Sequence, residues 1–279
     1  MEKYIPQKKR SKLRVWCGSI CYCLLRYFLW ARYNSKFAKN SQKKIDLDSL
    51  KKQFPFVAFY ASSPLYRNLS EADKEMQNGK VSNLLIAYKK VSGIILKPGQ
   101  IFSYWKLIGQ TSGIKGYKKG MMLVNGKPVP KTGGGLCALS NLIYWLTLHS
   151  NLTVIERWRH SYDVFPDSNR TRPFGSGATC VYNYRDLMIL NNTNQPYVLL
   201  IWIEQNKLCG EWRTKYPVED KYEVFQKDHW ITCEVGNVYV RHNTIYRKHF
   251  INDDYVGEEQ VAENHAKMMY EPLLPEQQN

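Results

Sequence analysis

Three consecutive glycines, a leucine, a cysteine and an unbroken apolar run make up KTGGGLCALSNLIYWLTLH, residues 131–149, and this stretch constrains the fold more than any other. Gly133, Gly134 and Gly135 give a backbone that can take positive φ and lie close against another group. The run behind them has helical length, so the spacing predicts a helix that opens at Cys137. A helix start carries unpaired N–H groups and partial positive charge. That field favours a thiolate and can bring a cysteine down to roughly 3.5 to 7.5. The N–H groups from Gly135 to Ala138 are candidates to hold an oxyanion. At helical spacing Ser140, Asn141 and Tyr144 share the face of Cys137, whereas Leu139, Leu142, Ile143 and Leu146 form a separate apolar stripe. Two readings stand side by side: a nucleophile looking into a site, or a packed thiol whose glycines serve packing.

The remaining segments read as an α+β chain. A short helix over 45–53 leads into PFVAFYASS, expected to be a buried strand, and residues 67–79 read as a polar loop. Val81, Leu84, Leu85, Tyr88 and Val91 repeat at helical period. IFSYWKLIG reads as a strand, and MMLVNGKPVPK as a hairpin turning at Asn125 and Gly126. LTVIERW and PYVLLIWI are expected strands, with a further hairpin around Gly236 and Asn237. The tail from Gly257 is polar and reads as a frayed end. These expectations give a mostly antiparallel sheet, a central helix that starts at the Gly-Gly-Gly-x-Cys turn, and a basic N-terminal arm. In domain terms they divide the chain into an arm over 1–44, one domain over 45–256 and a tail over 257–279.

Charge matters chiefly in the arm. The formal net charge is +16, and the first 44 residues hold twelve Lys and Arg against Glu2 alone. Trp16, Tyr22, Tyr27, Phe28 and Trp30 lie among these cations, a pattern suited to an anionic membrane surface. The uncharged run from Val15 to Leu25 is too short to span a bilayer, and no small-x-small cleavage site follows it. An interfacial amphipathic helix is expected. Seven cysteines, an odd number without paired metal-ligand spacing, favour a reducing compartment, which places the chain in the cytoplasm or at the cytoplasmic face of the membrane. With no phosphate-binding glycine loop and no paired Cys-x-x-Cys, no cofactor, metal or nucleic-acid partner is expected.

His160 is the candidate base for Cys137, because a strand returning after the helix can lie beside the helix start, whereas His149 sits about 18 Å along the axis. Asp163, Asn183 and Asp186 are possible orienting partners. Arg170 and Arg172, in a loop rich in proline and glycine, are candidates to clamp a carboxylate.

The segments KVSNLLIAYKK, ILKPGQIFSYWKLIG, NGKPVPKTGGG, GGGLC, ERWRHS and GATC through LNNT resemble the VanW family over residues 79–212. The resemblance implies a bacterial cell-envelope setting and, for some members, cysteine L,D-transpeptidase activity on peptidoglycan stem peptides. It implies Cys137 as nucleophile and His160 as the histidine of the family's His-Ser element. This chain carries Ala138 where the family usually has glutamine, Gly177 where it usually has aspartate, and Trp158 where many members have histidine. The expected function is acyl transfer on stem peptides or their precursors, or else recognition of wall peptide by a non-catalytic module with a structural Cys137.

Overall fold

The computed structural model describes residues 11–40, 46–66, 71–124, 126–159, 161–164 and 171–271. Asp46 caps the first residues of the short helix α2, Leu47–Gln53, its carboxylate accepting from the N–H groups of Asp48 and Ser49. Before it lies α1, Lys12–Arg32, capped by Ser11. Strand β1, Phe56–Pro64, follows α2. It pairs along one side only, as the edge of a sheet ordered β1-β10-β9-β2, and is half exposed rather than buried as expected. The other strands of that sheet are β2, Ile94–Leu96, β9, Tyr197–Glu204, and β10, Lys207–Thr214.

Helix α3 spans Glu71–Val91. It begins well inside the segment expected to loop, because its polar first turns continue into later turns that bury Leu84, Ala87 and Val91. The stretch expected to form one strand over IFSYWKLIG divides at Ser103. Strand β3 covers Ile101–Ser103. Ser103 Oγ then accepts from Lys106 N and caps α4, Tyr104–Ile108. Strands β4, Lys119–Val124, and β5, Lys127–Thr132, form the expected hairpin; its turn residue Asn125 lies outside the described residues.

Helix α5, Cys137–Leu148, lies against β1 and β10 and buries Leu139, Leu142, Ile143 and Leu146 completely. The contact is close because β10 presents Gly210: an added Cβ would meet Ile201 Cδ1 at 2.6 Å and Leu146 Cδ1 at 3.0 Å. After α5 come β6, Thr153–Glu156, β7, Tyr162–Asp163, and β8, Met188–Leu190, with β3-β8-β6 forming a second sheet. The chain closes with three long strands, β11, Asp220–Glu234, β12, Val238–Ile251, and β13, Asp254–Met268. They are antiparallel neighbours, and β7 adds to β13 as a short parallel strand. The expectation of a frayed tail from Gly257 is therefore corrected over residues 257–268, whose backbone the partner β12 satisfies, and residues 272–279 lie outside the described ones. The molecule is α+β and mostly antiparallel.

Candidate functional site

The glycine turn is held from three sides. Gly133 and Gly135 adopt φ of +77° and +88°, which only glycine takes without strain. Added Cβ atoms would collide with Thr111 at Gly133, with the Gly120 carbonyl at Gly134 and with Lys80 at Gly135. Asn83, buried on α3, fixes the turn: its Nδ2 donates to Gly134 O at 2.9 Å and Lys118 O at 3.0 Å, and its Oδ1 accepts from Lys118 N at 2.7 Å. Tyr104 donates its hydroxyl to Leu136 O at 2.8 Å. The glycines thus let the β4–β5 hairpin, α3 and α5 meet. The N–H groups of Gly133, Gly134 and Ala138 already donate to Lys118, Lys131 and Gly135 carbonyls.

Cys137 is the first residue of α5 and keeps part of its surface in solvent. Burial nevertheless pushes its thiol above the ordinary range, while the backbone N–H of Cys180, bonding to the sulfur, pulls it down. Burial thus opposes the thiolate expected at a helix start, and outweighs the backbone N–H groups of Cys180 and Cys137 that favour it. Cys180 itself is a buried free thiol, raised further by burial and by the nearby Asp186 and Cys137.

What brings these two cysteines together is the polar face of α5. Ser140 Oγ lies 2.7 Å from Ala178 O and 3.2 Å from Cys137 O, and Asn141 Oδ1 accepts from Ala178 N at 2.7 Å. The two side chains dock the backbone around Ala178 onto the helix. Gly177 has a physical reason in this arrangement, since a Cβ there would meet Asn141 Oδ1 at 2.7 Å. Its carbonyl accepts from Arg157 Nε at 2.9 Å. Ser140 and Asn141 therefore build the wall beside Cys137 from within.

The other expected site residues divide. Tyr144 is buried beneath the Arg157 guanidinium, 5.1 Å from its ring centre. Arg172 stacks on Trp145 at 5.0 Å and donates to Ser62 O at 3.0 Å. Trp145 lies eight residues beyond Cys137, roughly 12 Å along the axis, so Arg172 is not brought to the thiol. Asp163 accepts from Arg241 Nη1 at 3.3 Å and from the Tyr270 hydroxyl at 2.7 Å. Asn183 Nδ2 reaches Cys23 O at 3.4 Å. Asp186, fully buried, accepts from Ser103 Oγ at 2.5 Å and Trp105 N at 2.9 Å. Burial pushes its carboxyl up to about 7. His160 and Arg170 lie outside the described residues.

Two grooves lie near the C-terminal end of α5. One, of about 610 Å³, is lined by Phe59, His149, Asp220 and Tyr222. There His149 stacks on Phe59 at 4.0 Å, and burial holds its imidazole down at about 4. The other, of about 460 Å³, is lined by Tyr144, Glu156, Arg157, Arg247 and Glu259. Neither includes Cys137. Sequence reasoning missed Asn83, Cys180 and Glu156. Glu156 accepts from Arg26, Trp158 Nε1 and Asp186 N. All three carried the same signal, a place in the segments KVSNLLIAYKK, ERWRHS and GATC.

A family model described as VanW like protein matches residues 79–213, from the middle of α3 to the end of β10. The vancomycin B-type resistance protein VanW of Enterococcus faecalis is 31% identical over 188 residues, covering 67% of this chain and 68% of that protein. A Bacillus subtilis protein named uncharacterized protein YoaR is 26% identical over 117 residues, 42% of this chain and 37% of its own length. No solved structure matches.

Proposed function

The chain belongs to the VanW family, and from that premise we propose that it is a cell-envelope protein that performs acyl transfer on peptidoglycan stem peptides or their precursors through Cys137. One observation carries the reading: a half-buried cysteine opens α5, with the Cys180 N–H on its sulfur and a wall built by Ser140 and Asn141. Cys137 rests as a thiol, so a base must take its proton as it attacks. His160 is assigned that role. The sulfur adds to a peptide carbonyl, the carbon–nitrogen bond breaks, and the departing amine receives the proton. An acceptor amine then displaces the thioester and restores the thiol. With the Gly133, Gly134 and Ala138 N–H groups bonded inside the fold, the oxyanion would be left to those of Gly135 and Leu136.

The raised thiol, and the use of Ser140, Asn141 and Arg172 inside the fold, favour a second reading, a wall-peptide binding module with a structural Cys137. Incubation with defined muropeptides followed by intact-mass measurement separates them. Acyl transfer predicts an adduct on wild-type protein that is absent from Cys137→Ala and strongly reduced in His160→Ala, while Cys137→Ala retains its fold. Saturable muropeptide binding by both wild-type and Cys137→Ala protein, with no adduct or turnover, would assign the module instead.

A further inference from the structure

Helix α1 is fixed to the body along one side. Arg26 Nη2 donates to both oxygens of Glu156 at 2.6 and 2.7 Å, the Tyr27 and Tyr182 hydroxyls lie 2.6 Å apart, and Trp30 is buried. Tyr22 stacks on Tyr184 with ring centres 6.0 Å apart. These contacts fix the helix's rotation and turn its opposite side outward. That outward side carries Leu13, Ile20, Leu24 and Phe28 at steps of seven, four and four residues, one stripe of a 3.6-residue helix. Leu13 is 69% exposed, Leu24 63%, Phe28 63%, and the adjoining Trp16 62%. A contiguous apolar face of this kind on a rigidly held helix marks an interaction surface.

We infer that this face lies in the surface of an anionic phospholipid bilayer, with α1 parallel to the membrane plane. Between Arg14 and Arg26 the helix carries no charge, and Arg14 and Arg32 fall at its two ends on the outward side, where their long stems can reach headgroup phosphates. No acidic residue lies in α1. Apart from Arg26, which Glu156 takes, the cations of the first 44 residues complement anionic lipid. Two copies of the same face would bring cation to cation with no countercharge, which disfavours a second copy as occupant. No helix among the described residues is long and apolar enough to cross a membrane, so this helix lies on the bilayer. The residues that α1 grips at Tyr182 and Tyr184 follow Cys180 closely. Docking therefore holds the Cys137 region about one helix diameter from the lipid, whether or not Cys137 is catalytic.

The test is cosedimentation of the full chain with vesicles rich in phosphatidylglycerol and with vesicles of phosphatidylcholine alone. Binding to the anionic vesicles, weakened at least about tenfold by the double substitution Leu24→Glu with Phe28→Glu, is the expected result. Both side chains are exposed, so the variant should keep the wild-type circular dichroism. A second readout does not depend on that variant: brominated lipid should quench wild-type tryptophan fluorescence, and Trp16→Phe should remove part of the quenching. Failure to bind anionic vesicles overturns the inference, as does binding that the double variant leaves intact with no quenching at Trp16. So does a lipid-free dimer that the double variant dissociates, which would assign the face to a second copy.

Discussion

Buried Asp186 and half-buried His149 are ionisable residues with opposite effects on stability. Burial raises the Asp186 carboxyl from an ordinary 3.8 to about 7, against the Ser103 and Trp105 hydrogen bonds and Arg26 that favour its charge. The folded chain therefore keeps a proton that the unfolded chain releases, and stability falls as pH rises from about 4 to about 7. His149 is lowered from 6.5 to about 4. Its unfolded form takes up a proton that the folded form refuses, so stability falls as pH drops through that window. Asp186→Asn removes the first effect and leaves the second. The variant should gain stability relative to wild type as pH rises from about 4.5 to about 7.5, by on the order of a few kcal/mol. Urea unfolding of both proteins at the two pH values measures this, and a difference independent of pH would sink the assignment.

For secondary-structure elements, the start of α5 shows how a local rule is outweighed. A helix N-terminus favours a thiolate, yet packing around Cys137 makes desolvation the larger effect. Alkylation of Cys137 by iodoacetamide, followed site by site with mass spectrometry, should therefore inflect above the ordinary thiol value of 9.0. An inflection below about 8.5 would mean that the helix field prevails. Helices α1, α2 and α5 were legible because caps and apolar period act within a few residues. The N-terminal half of α3 was not, since the residues before Val81 carry little apolar signal of their own. Helix α4 was hidden in an apolar run that suits strand or helix equally, and Ser103 decided it through a cap.

In the whole molecule, a polar seam joins the long β11–β13 sheet to the Cys137 wall. Asn264 Nδ2 donates to Asn243 Oδ1 at 2.8 Å, and Asn243 Nδ2 donates to Phe174 O at 2.7 Å, with both asparagines fully buried. Arg157 links Asn264 to the carbonyls of Gly175 and Gly177. Asn264→Ala strands partners on both sides and should destabilise by about 2 kcal/mol. It should also speed Cys137 alkylation, because Gly177 borders the Ala178 backbone that Asn141 holds. Equal unfolding midpoints and equal alkylation rates would refute the seam. Residue order was enough for the glycine turn, the helix after it and most strands, because these rest on neighbours within a turn or a pleat, and for the family resemblance. Packing alone revealed that the three glycines serve close approach, that Asn83 clamps them, that Cys180 faces Cys137 and that the polar tail is a strand. The glycine packing, the Asn83 clamp and the cysteine pair depend on partners more than a dozen residues away, and the tail strand on its hairpin partner β12, whose polar face gave no apolar alternation to read.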